Sequence, residues 1–272
     1  MSATETKTPT APLFTVITVT FNAEKDVPAT LRSVREQTFD DFEHLIVDGA
    51  STDATLALAR DNAPDNQTII SSPDRGLYDA MNRGIGLARG KYLIFLNAGD
   101  AFHSPDTLSL IARTAADNDY PGIIYGQTDI VDSTRRKVAD RHLVAPRRLT
   151  YDSFREGMVV CHQAFIALRR IVEYYDIRYK FSADYEWCIR VLQHSRNNCY
   201  IDDVLVDYMI EGMTTRNRRK SLIERFKVMS YYYGFFPTVK QHLKFIPRYL
   251  RRRRLEKSIA VNQTDTTAAD NK

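Results

Sequence analysis

Cysteine is scarce in this chain: Cys161, Cys188 and Cys199 are the three thiols among 272 residues, an odd number with no CxxC spacing. Neither a disulfide framework nor a zinc knuckle fits that count, and a reducing cytosol is the expected setting. Long hydrophobic runs are also missing. No stretch approaches the roughly 18 uncharged apolar residues of a bilayer span, and residues 1–12 (MSATETKTPTAP) lack the apolar segment of a signal peptide. Neither integral insertion nor secretion is therefore expected. There is no glycine- and lysine-bearing phosphate loop, no nucleophile elbow and no internal repeat. Gly84, Gly86 and Gly90 imitate a dinucleotide fingerprint, but they fall within and after a helical pattern, whereas that fingerprint must follow a strand.

What is present is ample material for a core, with 43% hydrophobic and 26% charged side chains. The net charge of +4 is small and uneven: Arg251, Arg252, Arg253 and Arg254 stand together, flanked by Lys244, Arg248 and Lys257. Ahead of them come Tyr231, Tyr232, Tyr233, Phe235, Phe236, Phe245 and Tyr249. Positive charge beside aromatic anchors suits an anionic membrane surface, and equally a solvated tail. Nucleic acid is not an expected partner.

From Leu13 to Asn97, β-branched runs alternate with amphipathic stretches, as in βαβ units. Strands are predicted over 13–20, 42–48, 67–71 and 91–97, with helices over 26–37, 55–62 and 77–89 between them. Ser104-Pro105 supplies a cap and a first-turn proline for a helix over 105–118. Residues 120–210 are less regular, with strand candidates at 122–131, 163–168 and 199–207 and a helix across 184–195. Beyond Gly212 come helix-like segments at 218–233 and 237–255, the second broken or kinked at Pro247. The expected fold class is α/β with a mostly parallel central sheet flanked by helices.

In an open parallel sheet, ligands bind beyond the carboxyl ends of the strands. Here those ends read Thr20-Phe21-Asn22, Asp48-Gly49-Ala50-Ser51-Thr52-Asp53, Pro73-Asp74-Arg75-Gly76 and Asn97-Ala98-Gly99-Asp100, so carboxylates recur at successive strand ends.

In this order, ITVTFNAE (17–24), IVDGASTDAT (46–55), SPDRGLYDAMNRGI (72–85), GKYLIFLNAGD (90–100), CHQAFI (161–166), SADYEWCIR (182–190) and EGMTT (211–215) resemble the inverting family 2 glycosyltransferases of the GT-A fold, particularly the bacterial exopolysaccharide type. The resemblance implies a GT-A-like domain over 13–215, divided into a nucleotide-binding half (13–100) and an acceptor half (101–215). A flexible 1–12, a helical basic and aromatic extension (216–257) and a disordered 258–272 complete the expected organisation.

By this resemblance Asp48 contacts the nucleobase or ribose, since a carboxylate accepts hydrogen bonds from base N–H groups and ribose hydroxyls. Thr20 and Asn22 lie under the base, although strand-to-helix turns favour such residues anyway. Asp53 is placed either to contact ligand or to cap a helix. Asp74 and Arg75 lead a donor-binding loop, and Arg75 can pair with a carboxylate instead. Asn97-Ala98-Gly99-Asp100 stands where the family carries an Asp-x-Asp variant. It leaves Asp100 as the one obvious carboxylate ligand for Mn²⁺ or Mg²⁺, with Asn97 beside the donor and His103 a further candidate ligand or a bystander.

The resemblance makes Asp184 the base for the acceptor hydroxyl, at a helix N-terminus that suits an ionised carboxylate. Glu186 is the alternative; two residues on, it points about 200° away, so only one of the two can face the donor. His162 and Gln163 are expected to recognise the acceptor or to form an internal pair. Gly212-Met213-Thr214-Thr215 and Arg216 are candidates for a loop closing over the diphosphate.

The implied reaction is inverting sugar transfer from a UDP-, GDP- or dTDP-linked donor. The implied acceptor is a lipid-linked saccharide in exopolysaccharide or capsule assembly, met by a cytoplasmic enzyme peripheral to the inner face of the plasma membrane. No Q-x-x-R-W motif is present, which disfavours processive synthesis. A catalytically silent nucleotide-sugar binding module and a nucleotidyltransferase remain as alternatives; ITVTFNAEK lacks the phosphate loop the latter needs.

Overall fold

The computed structural model describes residues 11–61, 63–141, 143–209 and 218–244. By internal contacts the chain forms two compact units, 1–224 and 225–272. The first contains the sheet, and its order follows from burial.

Strands β1 (Phe14–Thr20) and β2 (Phe42–Asp48) are buried at every position. Burial at every position, which here also takes in Thr15, Thr18, Glu43 and His44, suits a parallel sheet covered on both faces. They pair in parallel from Phe14 opposite Phe42 to Thr20 opposite Asp48, which brings the two candidate residues side by side. β3 (Gln67–Ser71) adds to β2, and β4 (Tyr92–Phe95) to the other side of β1, both in parallel. The connecting helices are α1 (Val27–Arg35), α2 (Thr55–Arg60) and α3 (Leu77–Leu87). In α1 the buried residues Val27, Thr30, Leu31 and Val34 form one stripe at helical spacing. Gly84 of α3 lies so close to β1 that a Cβ there would come within 2.6 Å of Ile17 Cγ2.

The parallel arrangement expected from the sequence holds for β3-β2-β1-β4; beyond β4 the sheet is mixed. β5 (Ala101–Phe102) is a short pairing to β9, and α4 (Thr107–Asp117) follows it. Next come β6 (Ile123–Val131), β7 (Lys137–Asp140), β8 (Phe165–Leu168), α5 (Ala183–His194), β9 (Asn198–Met209) and α6 (Arg218–Tyr233). The sheet order is β3-β2-β1-β4-β8-β6-β9-β5, with β7 paired to β6. β8 runs antiparallel to both β4 and β6, because 3₁₀ turns rather than a crossover helix lead into it.

Helix α4 starts two residues later than Ser104-Pro105 suggested. Ser104 Oγ accepts the Asp106 N–H and Thr107 Oγ1 accepts the Ser104 N–H, so 104–106 form a turn ahead of the helix. Of the segment expected to be helical over 237–255, residues 235–244 are helical. Pro247, Arg251–Arg254, the Gly212–Thr215 loop and Arg216 lie outside the described residues. Among the described residues, no helix is long and apolar enough to cross a membrane.

Candidate active site

The β1–β2 end is a closed hydrogen-bond system. The Asp48 carboxylate accepts from Thr20 Oγ1 (3.0 Å), the Ser51 N–H (2.9 Å), Ser51 Oγ and Ser71 Oγ (2.7 Å). Burial pushes its carboxyl up, but the donors from Ser51, Ser71 and Thr20 outweigh that and hold it below the usual aspartate range. Asn22, in the left-handed region at φ 47°, accepts the Thr52 N–H on Oδ1 at 2.9 Å. Asp53 takes the Thr55 N–H at 3.0 Å and the Glu24 N–H at 3.1 Å, so it organises the start of α2. Thr20, Asn22 and Asp48 therefore shape this loop with their own polar groups. The Phe21 ring is 65% accessible, beside the exposed Asn22 and Thr52.

Across from it, Asp74 accepts the Gly76 N–H at 2.7 Å, and its other oxygen packs on Gly49, where a Cβ would stand 2.6 Å away. A side chain at position 49 would push the Asp74 carboxylate out of this place. Arg75 pairs with Asp79 at 2.8 Å, one turn into α3, while most of its side chain remains in solvent.

Asp100, three residues beyond Asn97, is buried. Its Oδ2 accepts from Gln163 Nε2 (2.7 Å) and its Oδ1 from the Met209 N–H (3.0 Å). Burial is the main influence and raises its carboxyl to about 7, against the two hydrogen bonds and the nearby Arg135 charge. Asn97 Oδ1 is buried with no hydrogen-bond partner among the described residues. The orphaned Asn97 carbonyl oxygen and the Asp100 carboxylate, three residues apart at one strand end, are hard oxygen donors of the kind Mg²⁺ or Mn²⁺ takes. Arg135 donates from Nη1 to the Gly99 carbonyl at 2.6 Å, gripping this turn from outside.

His103 lies a little further on, with Nδ1 2.7 Å from Asp207 Oδ1. Together with Asp129 these side chains bring ligand atoms within 4.8 Å of one another. Two cations already face that cluster: Lys137 at 2.9 Å from Asp129 and Arg135 at 3.8 Å from Asp207.

Helix α5 separates the two candidate bases. Glu186 is buried and doubly bonded to Arg190, at 3.0 and 2.9 Å, which ties it into the fold. Asp184, in the first turn, is half-buried and accepts the Tyr78 hydroxyl at 3.1 Å from α3. The start of α5 is pinned by Ser182, hydrogen-bonded to Ser221, and by Glu224, which accepts the Lys180 and Phe181 N–H groups.

His162 and Gln163 are both buried, and each is hydrogen-bonded inside the protein. His162 Nε2 lies 2.6 Å from the Tyr175 hydroxyl, within an aromatic cluster of Phe95, Tyr175 and Trp187, and burial lowers its pKa to about 4. Gln163 is buried and holds Asp100.

The family model for glycosyl transferase family 2 matches residues 15–175. The chain belongs to glycosyl transferase family 2. This glycosyltransferase is 36% identical over 186 residues to a PGL/p-HBAD biosynthesis glycosyltransferase of Mycobacterium tuberculosis, covering 66% of this chain and 70% of that one. It is 31% identical over 194 residues to the amylovoran biosynthesis glycosyltransferase AmsB of Erwinia amylovora, covering 65% and 63%. Among solved structures, S. aureus TarS 1–349 in complex with UDP-GlcNAc superposes with a TM-score of 0.67 at 19% identity, covering 80% of this chain and 65% of that one. The mannosyltransferase PcManGT from Pyrobaculum calidifontis, in complex with GDP-Man and Mn²⁺, gives 0.58 at 17%, covering 92% and 81%. These likenesses establish the GT-A-like fold.

Sequence reasoning passed over Tyr78, Arg135, Asp129 and Asp207. Tyr78 falls within SPDRGLYDAMNRGI, but its partner Asp184 lies 106 positions away. Arg135 carries no local signal beyond a turn-forming Asp132-Ser133-Thr134. The Glu186–Arg190 pair, by contrast, is legible as an i,i+4 spacing.

Proposed function

We propose that this glycosyltransferase moves a sugar from a UDP-, GDP- or dTDP-linked donor to an acceptor hydroxyl with inversion, using Asp184 as the base. The contrast on α5 carries the choice: Arg190 engages Glu186, whereas Asp184 is half exposed and aimed by Tyr78. A carboxylate so placed takes the acceptor proton as the hydroxyl attacks the anomeric carbon opposite the departing diphosphate.

The donor lies across the carboxyl edge of β1–β4, its base against Phe21 and its ribose toward Asp48 and Asp74. Thr20 and Asn22 hold that loop in shape, and Arg75 stands at the outer margin. Asn97 and Asp100 would hold Mn²⁺ or Mg²⁺, with Gln163 orienting the Asp100 carboxylate. When bound, the cation neutralises charge on the leaving diphosphate. Structural neighbours in complex with UDP-GlcNAc, and with GDP-Man and Mn²⁺, support this donor class and metal. Relatives named for amylovoran and PGL/p-HBAD biosynthesis support a biosynthetic sugar transfer. The acceptor in this reading is a lipid-linked saccharide at the inner face of the plasma membrane.

A panel of UDP-, GDP- and dTDP-sugars, assayed for Mn²⁺-stimulated binding and slow hydrolysis, tests the donor. Failure of every donor to bind with metal present would refute the proposal. Asp184→Asn should leave donor affinity within about threefold and cut transfer by roughly 100-fold or more. Equal loss of both would remove Asp184 from the role of base.

A further inference from the structure

In the second unit, α6 ends at Gly234, whose φ of 87° and N–H to the Ser230 carbonyl (3.1 Å) form a left-handed helix stop. The helix over 235–244 then turns back, and Phe226 of α6 meets Phe235 at 5.9 Å and His242 at 5.0 Å between ring centroids. The result is a helical elbow closed by its own aromatic contact. Its outer side is unusual. Tyr231 is 80% accessible and Phe236 82%, with Phe235 at 56% and Leu243 at 61%. Large apolar side chains grouped in this way are costly to leave in water.

The charge around them narrows what covers them. From Arg225 to Leu255 there is no aspartate or glutamate, while Lys227, Lys240 and Lys244 are exposed on the elbow itself. An acidic protein surface would complement the lysines but leave aromatic tips unburied unless it also offered pockets. A bilayer with anionic headgroups takes both at once: rings enter the interfacial layer while lysines remain at headgroup level.

We propose that the Tyr231–Phe236 elbow is a membrane-inserting tip that docks this glycosyltransferase on an anionic lipid surface. The purpose of the contact rests on the lipid-linked acceptor proposed above, whereas its physical basis is the exposed side chains. The tip acts through described residues, independently of the Arg251–Arg254 run.

The test uses the full chain with vesicles of phosphatidylglycerol and phosphatidylcholine at about 3:7, against pure phosphatidylcholine. Phe236→Trp places a reporter on the tip, and the one native tryptophan, Trp187, is fully buried and contributes a steady background. The expected result is a blue shift with anionic vesicles, absent with neutral ones. Tyr231→Ala combined with Phe236→Ala should reduce vesicle partition about tenfold, with the far-UV spectrum and donor hydrolysis unchanged. Both side chains are solvent-exposed, so the fold should tolerate their loss. No blue shift, or undiminished binding by the double variant, would overturn the proposal. So would a concentration-dependent dimer, seen by sedimentation without lipid and lost in the double variant, because the patch would then cover a second copy. Donor hydrolysis in solution reads the sugar-transfer proposal separately, and it can fail while the tip still inserts, or succeed while it does not.

Discussion

Asp48→Asn separates two roles that one carboxylate can hold, nucleotide contact and loop construction. In the structure both oxygens are engaged, with four donors arriving from Thr20, Ser51 and Ser71. An amide of the same shape loses the charge assistance on these bonds and sets an NH₂ group against donors. The hydroxyls can turn to accept it; the Ser51 N–H cannot. Charge-assisted bonds contribute about 1.5–3 kcal/mol and neutral ones about 0.5–1.5, so the loss should be roughly 2–4 kcal/mol. For a domain of this size that is a fall in Tm of roughly 5–15 °C, measurable by circular dichroism with no nucleotide present. The sign with pH follows from the depressed folded pKa. The stabilisation is present above the unfolded value of about 3.9 and is lost as pH falls through the folded one, so variant and wild type should converge in acid. A variant within about 1 kcal/mol of wild type whose nucleotide affinity falls more than tenfold would refute the structural role and leave Asp48 as a ligand contact.

Asp100→Asn should gain stability relative to wild type as pH rises from about 4 to 7 without metal, on top of a pH-independent cost of setting an NH₂ group against Gln163 Nε2 or the Met209 N–H. The folded Asp100 pKa of about 7 lies above the unfolded value, so wild type loses stability from about pH 4 to 7, up to roughly 4 kcal/mol. Buried His44 and His162, lowered to about 3 and 4, act in the opposite sense below about pH 6.5, so the difference between variant and wild-type melts isolates Asp100. Glu186→Gln should cost about 1–3 kcal/mol in urea denaturation by loosening Arg190, with kcat kept within about threefold; a 100-fold loss of kcat at unchanged fold would make it the base instead. Arg135→Ala removes the donor to the Gly99 carbonyl and should weaken metal-dependent donor binding about three- to tenfold. Lysine should restore little, because one ammonium cannot hold Gly99 and Asp207 together; full rescue by lysine in nucleotide titrations would count against this reading.

The first half of the fold was legible because its signals are local. Short runs rich in apolar and β-branched residues, separated by amphipathic stretches, define β1 to β4 and α1 to α3, and parallel pairing then sends polar residues to one edge. The mixed half was less so. β5 has two residues and β7 four exposed ones, too little for a periodic pattern, and both exist because β9 and β6 offer them edges.

The same division runs through the site. Sequence alone determined that Asp48, Asp74, Asn97 and Asp100 end successive strands or open the loops after them, because strand order and chain direction require it. It also determined that Asp184 and Glu186 point apart, because helix geometry requires that. Only the tertiary structure decided which groups are free to act. Arg190 engages Glu186, Tyr78 aims Asp184, Gln163 and the Met209 N–H grip Asp100, and Ser71 completes the cage around Asp48. The reason is physical: chain direction is written residue by residue, whereas the satisfaction of a buried polar group depends on partners brought from tens of positions away.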